Sequence, residues 1–556
     1  MVGTNRILVR LFGLAAAGLV GAGSGQTLSF PGCPDLQSGD FKKVQVVDFT
    51  GSGRTKFGIA PDGRIVAAGG SAPVSVYDPK TGTQIDAGKP DSIGGYIWGV
   101  AGMAIDPAFT TNGHVFIYSN KPLAGDSQVS QIRRYTIKDN ALTSERLILE
   151  WGLQRENVDH SGGGMGFDGA GNLYLGTGEN AWFSGNYGNI NETDIKFNAL
   201  RSSANTNDLR GKILRIKPRP FPDSDPAPAP GAGSTYDIPA GNLFPPGTAL
   251  TLPEIYAMGS RNPFTLNVDI PTGWVFWGEV GANATVASAD KGPAGVEEFN
   301  VATQATNFGW PMFNGPNLPY PKYDYAAKKT GPVFDSLAPI NDSKYNTGLR
   351  ELPRPKGSLV GYSRDEKLNK WPDFTTGAEI VPIAGPVYHY DGSLPGTAKL
   401  PPHFDGKWLI ADYYMKWVKA VAFDAKGEKA LDVQPVFSGL TFSSLVDMKI
   451  GPDGVLYTLE NGSQVVSRIE YTGTCLPKVA IRPGTGAGGT GSLPGLLAGR
   501  RRLEVPAAFS GFTLFDQSGK RVWSYRRAGE GPVFAALPSG LERRVLLVHW
   551  DRNAGR

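Results

Sequence analysis

The chain has 556 residues, of which 40% are hydrophobic and 19% charged, and its formal net charge is +4. That length exceeds one ordinary domain and leaves room for a large core, and the apolar fraction excludes general disorder. So small a charge gives little support for nucleic acid as a partner, while 74 glycines and 43 prolines suit a turn-rich all-β protein.

Arg6 and Arg10 precede an apolar run from Leu11 to Val20, and small residues follow through Gly25. A basic region, an apolar region and a small-residue exit read as a secretory signal over residues 1–25, cleaved near Ser24 to Gln26. The run is too short and glycine-rich for a convincing spanning helix, although a membrane anchor is the alternative. No second long apolar run follows, so no transmembrane span is expected after signal removal, and the location is secreted, periplasmic or cell-surface. Cys33 and Cys475 bracket everything between them. An oxidising compartment permits them to pair; two unpaired thiols, or pairing with another chain, are the alternatives.

Phe41 to Phe49 can form a first strand. A repeated unit follows, made of an apolar strand, an Asp/Gly/Pro turn and a second apolar strand. The copies are Phe57 to Val66, Met103 to Tyr118, Phe167 to Leu175, Leu266 to Trp277, Phe404 to Ile410 and Met448 to Tyr457. Six units separated by long irregular inserts predict radial sheets, a six-bladed β-propeller over residues 26–475. Val129 to Thr136 reads as an outer strand. Residues 181–208 read as a polar loop, and Pro218 to Pro246 as a surface excursion. Asp223 and Asp225 in that excursion can meet a cation or simply sit in solvent. The aromatic, proline-rich segment from Leu318 to Leu359 reads as a loop over the ring or as part of a blade.

The third unit follows Asp159-His160-Ser161-Gly162-Gly163-Gly164. Its glycines remove side chains where something flat can approach the backbone; a sharp entry loop with a surface histidine is the plainer reading. Arg261, in Gly259-Ser260-Arg261-Asn262-Pro263, can hold an anionic oxygen with its planar fork or can close a turn through carbonyls. Backbone carbonyls near Gly281, with one carboxylate from Glu297 or Glu298, are suitable hard ligands for calcium; a solvated acidic turn is the alternative. Lys416 is a candidate for holding an acidic ligand or a solvent-facing lysine. His114, His389, His403 and His549 lie at no compelling ligand spacing.

Together, His160-Ser161-Gly162-Gly163, Arg261-Asn262-Pro263, Glu297-Glu298-Phe299-Asn300 and Asn307-Phe308-Gly309-Trp310-Pro311 make the chain resemble the glucose and sorbosone dehydrogenases. This is the soluble quinoprotein sugar dehydrogenase-like family, and the resemblance spans roughly residues 40–474. It implies a propeller that binds pyrroloquinoline quinone and calcium on the ring axis. By the same resemblance His160 is the catalytic base, Arg261 the arginine at the quinone and Asn262 its neighbour, and Lys416 loosely matches a cofactor-binding basic residue. Gly281 and Ala282 would give carbonyls to calcium, with a carboxylate from Glu297 or Glu298. Val280 stands where the glucose oxidisers carry a polar residue, and Ala282 where proline is common.

The implied activity is that of a secreted, quinone-dependent sugar dehydrogenase. It would oxidise a hydroxyl of a sugar, a sugar-derived substrate or a polyol, and pass electrons to an external acceptor. A non-catalytic carbohydrate-binding or surface-adhesion propeller is the second reading, and a calcium-dependent propeller lactonase the third. Residues 476–502 are expected as a flexible linker. Residues 503–556 are expected as a small β-sandwich for sorting or attachment, offering a contact to secretion or cell-surface machinery.

Overall fold

The repeated unit is a hairpin fixed by its turn. The Asp168 N–H donates to the Asn172 carbonyl at 3.0 Å, and the Asp168 side chain accepts the N–H groups of Ala170 and Asn172, both at 2.9 Å. Gly171, at φ +79°, takes the left-handed position that closes the turn. The first and last units repeat the arrangement: Ala60 bonds to Arg64 at 2.8 Å, and Gly451 to Val455 at 2.9 Å.

The computed structural model describes residues 38–473 apart from 50, 52, 91–98, 123–127, 154–159, 183–186, 224–227, 372, 375 and 395–397. It also describes the strands 492–493, 502–505, 509–515, 521–526, 533–536 and 547–552. The expected signal (residues 1–25), Asp159, Asp225, Cys33 and Cys475 lie outside the described residues.

The hairpins open six antiparallel sheets. Blade 1 runs Lys56–Ile59, Ile65–Ala68, Val74–Asp78, Thr83–Gly88, and blade 2 runs Val100–Ile105, His114–Pro122, Gln128–Lys138, Ala141–Leu153. Blade 3 runs Gly162–Phe167, Leu173–Thr177, Lys212–Pro218, Ile255–Met258, and blade 4 runs Pro263–Asp269, Trp274–Glu279, Glu297–Ala302, Val360–Tyr362. Blade 5 runs Pro382–Tyr388, Lys407–Asp412, Val418–Phe423, Ala430–Val436. Blade 6 runs Leu445–Ile450, Leu456–Glu460, Val465–Tyr471 and takes its last strand, Phe41–Asp48, from the other end of the chain. The first strands of successive blades touch in a closed circuit, blade 6 returning to blade 1. The fold is therefore a six-bladed β-propeller whose first strands line the axis, as the hairpin repeat predicts.

Large rings fill the space between blades. Phe276 of blade 4 meets Trp408 of blade 5 edge to face at 4.9 Å, and both are buried. At the closure, Phe41 packs against Phe437 at 4.9 Å and Phe404 at 6.0 Å. Such burial holds neighbouring sheets in register around the ring.

Some sequence expectations need correction. The fifth hairpin starts at Pro382–Tyr388, and Phe404 ends a short 3-10 turn before its second strand. A long connection between the two strands hides the repeat there. The stretch 129–136 is a third strand, covered on its outer side by Ala141–Leu153. The excursion after Pro218 is anchored: Tyr236–Asp237 pairs with the end of the third strand of blade 3, and Tyr236 and Phe244 are buried. Asp223 is half-buried and held within the protein, since Arg134 and Thr136 donate to it at 2.7 and 2.6 Å. Residues 318–359 contribute to two short two-stranded hairpins in the connection between the last two strands of blade 4. Thr306–Asn307 stitches blade 4 to blade 3 by pairing in parallel with Ile255–Met258.

The tail contains two sheets. Ser492–Leu493, Leu547–Arg552, Phe509–Phe515 and Arg521–Arg526 form one, and Arg502–Val505 pairs with Val533–Ala536 in the other. Part of the stretch expected as linker is thus a strand of this module. Among the described residues, no helix is long and apolar enough to cross a membrane.

Candidate active site

A cavity of about 400 Å³ lies on the ring axis. Its walls come from the beginnings of the inner strands: Thr55, Ala101, Gly162, Phe264, Ile383 and Val446, one from each blade. A second cavity of about 450 Å³ is lined by the opposite ends of the same strands, including Ile59, Ile105, Phe167 and Ile450. The first cavity holds most of the residues singled out from the sequence: His160, Arg261, Asn262, Gly281 and Glu297 all line it.

His160 sits just before the inner strand of blade 3, in the left-handed region at φ +53°. The chain is tightly confined here, since a Cβ on Gly178 would stand 1.5 Å from the His160 carbonyl oxygen. The imidazole Nδ1 lies 3.2 Å from Glu179 Oε1. Glu179 is fully buried and accepts Asn189 Nδ2 at 2.9 Å and Trp310 Nε1. A fixed carboxylate at Nδ1 orients the ring and favours the tautomer with its proton there.

Arg261 is 2% exposed. Its Nε is 3.5 Å from Glu179 Oε1, its Nη2 donates to Asn283 Oδ1 at 3.3 Å, and its guanidinium lies 5.4 Å from the centre of the Trp310 ring. Its Nε, beside Glu179, makes no hydrogen bond among the described residues, so the fork retains donor capacity in a buried place. Asn262 Oδ1 accepts the Gly162 N–H at 2.8 Å and locks the arginine loop to the histidine loop.

The two adjacent glutamates part company because successive strand residues face opposite sides. Glu297 faces the cavity and accepts the Gly281 N–H at 2.8 Å. Glu298 turns into the blade, where Asn300 and Gly315 donate to it, directly across from Glu279. Burial pushes Glu297 up to about 8 and Glu298 up to about 7. Burial, with the Glu298 charge opposite, raises Glu279 well above the usual carboxylate range. Ala282 is buried with its carbonyl against Gly295, where a Cβ would approach to 1.8 Å. Of the four expected calcium ligands, Gly281 and Glu297 are the two on the cavity wall. No group of three His, Cys, Asp or Glu side chains gathers as a metal cluster among the described residues.

Lys416 is exposed in the turn after Asp412 and is not on the wall; Tyr413 and Tyr414 of that turn are. Arg364 also lines the cavity and supplies a cation that sequence reasoning missed. Glu179 was missed as well. The hairpin register pairs Gly162 with Thr177, and counting two residues outward on each strand would have brought Glu179 opposite His160.

The chemistry of this set fits a planar, polycarboxylated quinone. Arg261, Arg364 and Asn262 offer donors to anionic oxygens, and Phe264, Val280 and Ile383 give apolar walls. Calcium has a thinner donor set, Glu297 and the Gly281 backbone, and would rely on oxygens of the quinone to complete its shell.

The family described as Glucose / Sorbosone dehydrogenase matches residues 55–334. HIPL2 protein of Arabidopsis thaliana is 29% identical over 235 residues, which is 42% of this chain and 27% of that protein. HIPL1 protein of the same plant is 28% identical over 134 residues, 23% of this chain and 18% of that protein. The chain thus matches about a quarter or less of the length of these curated relatives. Among solved structures, an oxidoreductase from Thermus thermophilus, described as a glucose dehydrogenase, is 19% identical. It has a TM-score of 0.50, and the match covers 77% of this chain and 99% of that one. A second glucose dehydrogenase is 18% identical with a TM-score of 0.50, covering 78% and 100%. At these identities the structures speak for the fold.

Proposed function

The chain belongs to the glucose/sorbosone dehydrogenase family, and from that premise we propose that it is a quinone-dependent oxidoreductase acting on a hydroxyl of a sugar or sugar-derived substrate. The observation that carries the reading is the convergence of the His160–Glu179 pair and Arg261 on one axial cavity of about 400 Å³.

Oxidation of an alcohol removes a proton from oxygen and a hydride from the same carbon. His160 takes the proton at Nε2, while Glu179 holds Nδ1 and stabilises the imidazolium that forms. Arg261, fixed by Asn283 and stacked toward Trp310, stabilises negative charge in the cavity. Phe264, Val280 and Ile383 exclude water around these groups, which strengthens each interaction. Bound pyrroloquinoline quinone would supply the hydride acceptor, held by Arg261, Asn262 and Arg364. Calcium at Glu297 and the Gly281 carbonyl would add Lewis acidity. The apolar Val280 on the wall favours a substrate other than one read by a polar group there.

Reconstitution with quinone and calcium, followed by a screen of sugars with an artificial electron acceptor, tests the proposal. Turnover that requires the quinone is expected. No absorbance change on adding quinone would overturn it, and lactone hydrolysis with calcium alone would point to a hydrolase instead. Export through residues 1–25 and attachment through the terminal β-module complete the proposal for its location.

A further inference from the structure

Lys56 reaches across the ring between the two axial cavities. The residue before it, Thr55, lines the candidate active site, and the residue after it, Phe57, lines the opposite cavity. It starts in blade 1, and its Nζ donates to the Phe264 carbonyl of blade 4 at 2.5 Å. In a ring of six blades these two stand on opposite sides of the axis. Its stem runs past blade 3, where Gly163 leaves room: a Cβ there would stand 3.4 Å from Lys56 Cε. The ammonium ends 3.2 Å from the centre of the Phe264 ring, and Phe264 is part of the active-site wall.

An apolar side chain would fill this waist without burying a charge. Lys56 is 3% exposed, and among the described residues it has no carboxylate in ion-pair contact. Asp447 of blade 6 acts from farther off and is itself paired with Lys449 at 3.0 Å and with the Phe57 N–H at 3.4 Å. The desolvation of the ammonium is therefore poorly compensated within the protein. We infer that Lys56 is a specificity-determining residue of the axial cavity, laying positive charge beneath its floor so that the cavity takes a planar aromatic polycarboxylate in preference to a neutral molecule of the same shape. The inference deepens the reading of the cavity as a quinone site and rests on it for the natural occupant.

Burial, offset by Asp447 and reinforced by Lys449, brings Lys56 down to about 7. An anion above Phe264 favours the ammonium, so its binding near neutral pH draws in a proton. His160, Arg261, Arg364 and Glu379 face the same cavity, as does Glu297, which burial pushes up to about 8.

The test uses quinoline-2,4-dicarboxylate and its dimethyl ester as redox-inert probes on the full chain. Affinity and proton uptake are measured by calorimetry in buffers of different ionisation enthalpy. Lys56→Met is expected to lose at least about tenfold in affinity for the diacid, the scale of a charge–charge attraction across several ångströms in a partly buried site, to change little toward the diester, and to take up fewer protons. Lys56→Arg is expected to keep the diacid preference without that share of the uptake. Wild-type preference and uptake in Lys56→Met would overturn the inference, as would failure of the wild type to bind the diacid. Should Lys56→Met fail to fold, the wild-type diacid-over-diester ratio is followed from about pH 6 to 9, a window that brackets the lysine's lowered value, with the double variant Glu297→Gln, His160→Ala as control. A fall that persists in that double variant is expected, and a flat ratio overturns the inference. Lys56-dependent discrimination without quinone binding would sink the cofactor reading alone; quinone turnover with Lys56-independent discrimination would sink this inference alone.

Discussion

His160 and Glu179 stand nineteen positions apart in the chain and 3.2 Å apart in space. His160→Ala is expected to retain quinone binding yet lose at least ~100-fold in turnover, the low end for positioned acid–base catalysis. Reductive half-reaction kinetics on the saturated variant check this, and wild-type quinone reduction would remove His160 from the role of base. Arg261→Ala should weaken binding and turnover together, since in the proposed mechanism its fork serves both. Lys56 makes a separate prediction for the unliganded protein. Its folded value of about 7 lies below the unfolded value of about 10.4, so the unfolded chain binds more protons between them. The Lys56 contribution to stability is therefore largest above about pH 10.4 and is lost as pH falls toward 7. Denaturant melts of wild type and Lys56→Met should show a stability difference that moves toward the wild type as pH rises through this window. At this scale, His160, Arg261 and Asn262 are legible because each sits in a distinctive local motif. Glu179 and Lys56 are not, because a buried Glu after a strand and a Lys at a strand start look like ordinary surface residues until their burial is known.

Within a blade, the hairpin turn and the register decide what faces the axis. The Asp/Gly turns are readable because their backbone demands specific residues. The separation of Glu297 from Glu298 follows from strand alternation once the strand is placed, but nothing local marks which of the two faces inward. The fifth hairpin shows in the sequence only through the turn and second strand from Phe404 to Ile410, because eighteen residues, 389–406, separate that strand from its first. The closing strand Phe41–Asp48 is the element with the widest consequence, because it pairs with Val465–Tyr471 and seals blade 6. Phe41, 7% exposed, packs there against Phe404 and Phe437. Phe41→Ala should cost about 3–5 kcal/mol of stability, the usual range for a buried Phe→Ala change. Urea unfolding measures it, and a midpoint unchanged from wild type would mean that the closure does not limit stability.

At the scale of the molecule, the propeller is a circuit of blades whose closure needs both ends of residues 41–471. The tail has its own sheets, so deleting residues 484–556 should leave a single cooperative transition for the ring; loss of that cooperativity would show that the module is needed for folding. Cys33 and Cys475 flank the closing strands in sequence, and thiol titration of the unfolded, unreduced protein should find no free thiol if they clamp the ring. Turn chemistry and apolar periodicity act over a few residues, so the all-β class, the number of blades and the loops that carry His160 and Arg261 follow from the chain read in one dimension. Which carboxylates reach the axis, that Arg364 and Lys56 supply charge where Lys416 does not, and that Glu179 holds His160 are settled by the folded ring. Those facts depend on contacts between blades distant in the chain, and local propensity carries no information about which distant backbone a side chain will meet.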